Sequence, residues 1–561
     1  MRPLLAAVGF ALSASVLLMS GCGGGSSNSP AVMQPPPPPS PPPPPPPPTL
    51  DPQYRASAHS PFALNCEGAA ISGTVYTNAE VEPSLAINPA NTHNLIGVWQ
   101  QDRWSTGGAR GIVAGASLDG GVTWTQHTLP FTRCAGGNAA NGGDYERASD
   151  PWVTIAADGA AYQIALAFNG VVLAQNSVSA VVVSRSNDGG MTWGPTTTLI
   201  RDVTNFFNDK CSITADSANP RFVYAVWDRP QSTTEAPTYF ARSSDSGASW
   251  EMPRPIYNPG TRMQTINNIV VVLPNGTLVN FFVQILNGAN GNAVSSTLAV
   301  IRSTDNGVTW SAAVKIADNL SIGTRDPDTN TPVRDSTITP SIAVGPGGSL
   351  LAAWQDARFS SGARDGIALA RSDDGGMTWS APTRVNGDAS VAAFSPSVHV
   401  RGDGTVGVSY YDFRANTTDK ATLYTDYWLA RSGNAANWQE NQIAGPFDLA
   451  LAPRSSADNT SGYFLGDYQA LASVGNVFVP FFVQTNMGDV NNRTDVFAAP
   501  AVSVASTAAQ QKALSTAPAN AMDVFRASPQ WQQRVQENLA RSLAWRRRGG
   551  REALQPGQGI P

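Results

Sequence analysis

An eight-residue pattern, S-x-D-x-G-x-[ST]-W, recurs five times in this chain and sets what it can fold into. The copies lie at 117–124 (SLDGGVTW), 186–193 (SNDGGMTW), 243–250 (SSDSGASW), 303–310 (STDNGVTW) and 372–379 (SDDGGMTW). Their aspartates, Asp119, Asp188, Asp245, Asp305 and Asp374, are 69, 57, 60 and 69 residues apart. Self-similarity at this spacing means a repeat architecture in which each copy belongs to one supersecondary unit. Each copy follows an alternating apolar run, such as AVVVSRS or IALARS, so each begins where a strand ends.

The chemistry of the pattern is that of a tight hairpin. The Asp carboxylate can accept hydrogen bonds from the N–H groups of its own turn. The Gly supplies the positive φ the turn needs, and the Trp opens the next strand with a large apolar face. These residues resemble the Asp-box, or bacterial neuraminidase repeat, of sialidases and other β-propellers, over about residues 80–500. The resemblance implies an all-β, sialidase-like β-propeller, with the boxes on the face away from the active site and their five aspartates structural.

Inner strands recur in register: PSLAI, PWVTI, KCSIT, NIVVV, PSIAV, PSVHV and YQALA. They imply seven four-stranded blades; six, as in sialidases proper, is the alternative. A sixth turn at 432–438 (SGNAANW) lacks the Asp and Gly, and the seventh unit has three clear strands. Residues 71–77 (ISGTVYT) are expected to supply its fourth and to close the ring, removing an exposed edge.

Four segments follow from this reading: 1–21, 22–50, 51–505 and 506–561. Residues 1–21 have the basic start, apolar run and small residues of a signal peptide. Leu18-Met-Ser-Gly-Cys22 resembles a bacterial lipobox, which implies lipidation of Cys22, export, and a lipid-anchored place at the cell envelope, with the outer membrane the expected site. The prolines at 35–39 and 41–48 can form only polyproline II, a semi-rigid stalk within residues 22–50. The propeller takes 51–505. In the tail, 506–561, Ser528-Pro529 reads as an N-cap followed by proline in the first turn, and Trp531, Val535, Leu539 and Leu543 recur every four residues. This helix either docks on the propeller or meets an anionic lipid surface.

The formal charge is −5, but the tail after Ser506 carries eight Lys/Arg against three Asp/Glu, leaving the remainder near −10. That balance argues against nucleic acid as a partner. Of the cysteines other than Cys22, an exported protein is expected to pair two of the three, and Cys66 with Cys134 is the choice, because both flank the first repeat in irregular segments. No spacing calls for a metal or another cofactor. Asp326-Pro-Asp328-Thr-Asn330 begins like a calcium loop but lacks the following Gly and the Glu at position twelve.

Polar residues also repeat where second strands end: Asp102-Arg103, Asp228-Arg229, Asp356-Ala-Arg358 and Asp412-Phe-Arg414. Connections into the inner strands add Glu82, Arg147, Asp150, Asp209, Lys210, Arg334, Asp467 and Tyr468, among others. A channel mouth lined by Arg, carboxylates and Tyr suits an acidic sugar. Arg103, Arg358, Arg414 and Arg147 are the expected substrate-binding residues. Asp150 or Asp209 would be the acid, and Tyr410 or Tyr468 the nucleophile, as the resemblance implies. An Asp-x-Arg pair can equally brace its own blade. In catalytic sialidases an F/Y-R-I-P motif opens the first blade; here Glu80-Val81-Glu82-Pro83 puts Val81 at the Arg position. The expected function is to act on or bind a glycan or glycoconjugate, as a divergent exo-α-sialidase-type glycoside hydrolase or a non-catalytic glycan binder, with a non-catalytic scaffold or protein-interaction propeller at the cell envelope as the alternative. Oligomeric state is left open.

Overall fold

A computed structural model describes residues 50, 52–455, 462–500 and 527–544, all within one compact unit that begins at Leu50. The expected signal peptide, Cys22, the expected proline stalk and the arginines at 546–548 lie outside the described residues. The architecture is all-β, with one α-helix and three short 3-10 turns among the described residues. Four sheets have four strands each and cover 209–257, 263–318, 341–384 and 393–448. A twelve-stranded sheet divides into three more groups of four: 75–128, 147–203, and 470–498 together with Tyr54–Arg55. Within each group consecutive strands pair antiparallel, and the first strands of successive groups contact one another, the last returning to Val75–Ile87. Each sheet is covered on both faces by its neighbours. Its strands therefore carry apolar side chains on both sides, as where Ile96, Val98 and Ile112 meet Val153, Ala165 and Val182.

The box turns close the third and fourth strands. In the first, Asp119 Oδ1 accepts from Ser117 Oγ (2.8 Å) and from the N–H groups of Val122 (3.1 Å) and Thr123 (2.9 Å), while Thr123 Oγ1 donates to Oδ2 (2.6 Å). The same Ser–Asp–Thr/Ser arrangement recurs at Asp188, Asp245, Asp305 and Asp374. The serine and threonine of the pattern are thus as functional in the turn as its aspartate. Each Trp reaches the preceding group: Trp124 lies 5.5 Å from Phe481 and Trp310 lies 5.7 Å from Phe240. The degenerate turn keeps the device by substitution. Asn434 Oδ1 takes the aspartate's place, accepting from Ser432 Oγ (2.9 Å) and from the N–H of Ala436 (3.0 Å), and Ala435 at φ 57° takes the left-handed position.

The fourth strand of the last group is not 71–77. Tyr54–Arg55 fills that place, antiparallel to Thr494–Ala498, and Arg55 adds an ion pair to Asp495 at 2.7 Å. Residues 75–77 instead run without a turn into the first strand of the 75–128 group, pairing Val75 with Trp104 and Tyr76 with Arg103. Committed to that ladder, they leave the place beside Thr494–Ala498 open; Arg493 lies 5.3 Å over the Tyr76 ring, and Ala79, further along the strand, makes a parallel bridge to Thr494. Cys66 and Cys134 form a disulfide, and Cys211 is free and buried.

The helix α1, Pro529–Ser542, starts at Ser528, whose Oγ accepts from the Trp531 N–H (3.3 Å). Fourteen residues are too few for a stable isolated helix, so packing must hold it. Trp531, Val535, Leu539 and Leu543 bury against Ile266, Val283, Ile285, Ile322 and Ile338. The helix docks on the sheets.

Two predictions follow from the turns and the edge. Side-chain and backbone hydrogen bonds, from Thr123 and Ser249 respectively, hold the carboxyls of Asp119 and Asp245 down at about 2. Their stabilisation is full above the ordinary carboxyl range and is lost as pH falls through about 2. Asp245→Ala should therefore lower Tm at neutral pH, and the gap from wild type should close between pH 4 and pH 2; equal Tm values at pH 7 would refute the turn's role. A chain starting at Ala58 should melt several degrees below one starting at Leu50, because it loses the Tyr54–Arg55 ladder and its ion pair.

Candidate functional site

Each of five first strands carries a bulge, and in each a non-glycine residue sits in the left-handed region: Glu82 (φ 56°), Asp150 (51°), Lys210 (47°), Asn267 (59°) and Ser395 (52°). Such backbone costs about 1–3 kcal/mol per residue and persists where surrounding contacts over-determine it. Here the contact is a charge cluster. The Lys210 ammonium lies 2.8 Å from Asp150, 2.5 Å from Asp467 and 3.7 Å from Glu82. Arg334 completes it with a two-pronged pair to Asp467, Nε to Oδ1 at 2.7 Å and Nη2 to Oδ2 at 2.5 Å. The three carboxylates are close enough together to suit a cation, and the lysine ammonium stands among them.

Burial sets the acid–base character of the cluster. It pushes Glu82 up to about 7 and raises Asp150, against the pull of Lys210 in both cases. Burial also opposes ionisation of Asp467, but Arg334 and Lys210 overcome it and hold that carboxyl far below its usual range. The cluster is a set of internal ion pairs that fixes the strand ends at the centre.

Beside it opens a cavity of about 260 Å³. Its polar wall includes Arg103, Arg147, Asp150, Asp209, Lys210 and Arg334; its apolar wall includes Leu166, Phe168, Val172 and Phe207. Four of the residues expected from sequence, Arg103, Arg147, Asp150 and Asp209, are therefore brought together. Arg103 stacks 4.5 Å over Phe464 and donates to Gln100 Oε1 (2.6 Å). Arg147 stacks 4.6 Å over Phe168 and donates to the carbonyls of Gly107 and Gly170, both at 2.8 Å. Neither forms an ion pair among the described residues, and the Nε of each is buried without a hydrogen bond. Burial lowers both guanidiniums to about 10, which leaves them charged at neutral pH.

The other expected residues lie elsewhere. Arg358 is bound by Asp356 of its own sheet (2.9 and 2.8 Å), and Arg414 by Asp412 and Glu440. Neither lines the cavity. Both are the bracing pairs that an Asp-x-Arg sequence can equally form. Tyr410 is buried between sheets and donates to Glu440, and burial raises its phenol well above the usual value. Tyr468 lies behind the charge cluster, outside the cavity wall, and donates to the Pro151 carbonyl at 3.1 Å. Burial, reinforced by Glu82 and Asp150, keeps its phenol protonated. Asp326 spends its carboxylate on its own turn, accepting from the Asp328 and Thr329 N–H groups at 2.9 and 3.2 Å.

Glu82, Lys210, Arg334 and Asp467 form this centre, and none of them is among the residues expected to bind or act on a substrate. A signal was present: a polar residue stands at the same repeat position in Glu82-Pro83, Asp150-Pro151, Lys210-Cys211 and Ser395-Pro396. Lys210 is one of four lysines in the chain, and it follows Asp209 at the start of the strand Asp209–Ala215.

Residues 223–425 match the family model described as a BNR repeat-like domain. The match spans three of the five box turns, those of Asp245, Asp305 and Asp374. Among solved structures, the chain is similar to the α-L-arabinanase of Penicillium chrysogenum complexed with arabinobiose, at 13% identity, 81% of this chain, 99% of that chain and a TM-score of 0.40. It is similar to a Hadza microbial sialidase at 16% identity, 73% of this chain, 74% of that chain and a TM-score of 0.40. A third likeness is to the Trypanosoma rangeli sialidase bound to 2,3-difluorosialic acid, at 13% identity, 80% of this chain, 57% of that chain and a TM-score of 0.39. No curated protein matches in sequence.

The charge cluster generates a prediction. Lys210→Met leaves three buried carboxylates without their shared cation and should cost about 3–5 kcal/mol of stability, read by denaturant unfolding. An unchanged midpoint would mean that the cluster does not hold the centre.

Proposed function

We propose that the protein is an exported, envelope-anchored, seven-bladed sialidase-like propeller that binds an acidic glycan in its central cavity. The observation that carries this reading is the state of Arg103 and Arg147. A buried guanidinium is normally paired, and an unpaired one keeps its desolvation cost. Two such groups line one cavity with no ion pair among the described residues, while Arg334, Arg358 and Arg414 are paired internally. A carboxylate is the ligand that answers them, through charge-assisted bonds to the guanidinium forks. The apolar wall at Leu166, Phe168 and Val172 suits one face of a sugar ring, and about 260 Å³ suits a small ligand or a single saccharide unit.

The geometry favours binding over hydrolysis. Neither candidate tyrosine faces the cavity as an activated nucleophile, and Val81 stands where the resemblance implies a carboxylate-binding arginine. Asp150 has the raised carboxyl of a proton donor, but Lys210 holds it.

Calorimetric titration with glucuronic acid and N-acetylneuraminic acid, with glucose as the neutral control, tests this reading. Binding of an acidic sugar and not glucose is expected, with a tenfold or greater loss in Arg147→Ala, as befits a charge-assisted pair of about 1.5–3 kcal/mol. Hydrolysis of a fluorogenic sialoside should be absent or weak. Equal affinity for glucose, or none for either acid, would refute an acidic-glycan site. Anchoring has its own test: Cys22→Ala should move the protein from the membrane fraction to the soluble one, and retention in the membrane would contradict a lipid on Cys22.

A further inference from the structure

The cavity has a wall that the propeller does not supply. Arg541 and Ser542, at the end of α1, line it together with strand-derived residues such as Arg103 and Arg147. Arg541 is the third cation of this cavity without an ion pair among the described residues. Its side chain is fixed rather than loose. Nη2 donates to Asn538 Oδ1 at 2.5 Å, and buried Asn538 donates in turn to Thr337 Oγ1 at 2.9 Å and Ser321 Oγ at 3.2 Å. Gly323, at φ 75°, leaves the space for this approach; any side chain there would collide with Arg541 and Asn538.

The helix is placed by contacts of residues that do not line the cavity. Trp531 covers Gly362 and donates from Nε1 to the Leu320 carbonyl at 3.2 Å, and Arg534 donates to the Gly362 carbonyl at 2.7 Å. Ile338 both lines the cavity and packs against the helix, so helix position and cavity shape are one structural variable.

We infer that α1 completes the ligand site: Arg541 provides a third guanidinium for the anionic group, and docking of the helix and binding of the anion stabilise each other. This rests on the reading of the cavity as an acidic-glycan site. The linkage follows from mass action, since an anion that Arg541 helps to hold binds the docked state more tightly than the undocked one. A helix of this length has little stability of its own, so its amides report docking directly.

The test uses the full chain with wild type, Arg541→Gln and Arg541→Lys, titrated calorimetrically with glucuronate, N-acetylneuraminate and inorganic sulfate. Hydrogen exchange of the α1 amides is followed with and without each probe. In wild type, an acidic sugar should bind and slow exchange in α1. Arg541→Gln should bind it at least tenfold more weakly, with no slowing in α1 and a Tm close to wild type, and Arg541→Lys should recover part of both effects. Trp531→Ala, which loosens the helix without touching the cavity, should weaken binding in the same direction. If wild type binds an acidic sugar and Arg541→Gln binds it equally, the helix has no part in the site and only this inference falls. If wild type binds sulfate alone and Arg541→Gln loses it, the helix-completed anion site stands and the saccharide reading falls. If wild type binds none of the three probes, both fall.

Discussion

Lys210 is the interaction on which the centre of this molecule depends. It comes from the bulge of one first strand and meets carboxylates carried by two others and by the 467 segment. An ammonium shared by buried carboxylates is stable only if every member is paired, because an orphaned buried charge costs several kcal/mol. Arg334 completes the pairing through Asp467. The strand ends are then fixed to one another by charge as well as by apolar packing between sheets. The strained left-handed residues of the bulges become tolerable because they aim these side chains inward.

That accounting also isolates what is left over. Once Lys210, Arg334, Arg358 and Arg414 have been assigned to internal carboxylates, Arg103, Arg147 and Arg541 remain, and all three face the same cavity. Among the described residues these three cations have no anion of their own, which prepares the site for a ligand that brings one. The two candidate tyrosines are held protonated and turned to protein acceptors, which separates binding an acidic sugar from cleaving its linkage.

The repeat was legible because its turn chemistry is local. Asp119 and its four counterparts take their hydrogen bonds from residues within four positions, so an eight-residue pattern contains the whole device. The amphipathic stripe from Trp531 to Leu543 was legible for the same reason, as a helix with one apolar face. Tyr54–Arg55 was not, because a two-residue strand has no periodicity and gains its place only by pairing with residues more than 400 positions away. The arginines divide along the same line. Sequence groups Arg103, Arg358 and Arg414 by equivalent positions, yet Arg358 and Arg414 have an aspartate two residues upstream that takes them. Arg103 also follows an aspartate, Asp102, but that carboxylate turns to Arg110, Ser60 and the Asn78 N–H. Which partner wins is a tertiary fact. So is the arrival of Arg541, which reaches the cavity only because α1 docks where it does.

The central claim is that unpaired guanidiniums in the cavity receive the ligand's anionic group, and side-chain nitrogen NMR reads them one by one. With the Nε–H signals of Arg103, Arg147 and Arg541 assigned by substitution, glucuronate should shift all three and slow their exchange with water. The signals of Arg358 and Arg414, already bound to carboxylates, should stay in place. Saturating glucuronate that moves none of the three, or that moves surface arginines to the same extent, would contradict the account.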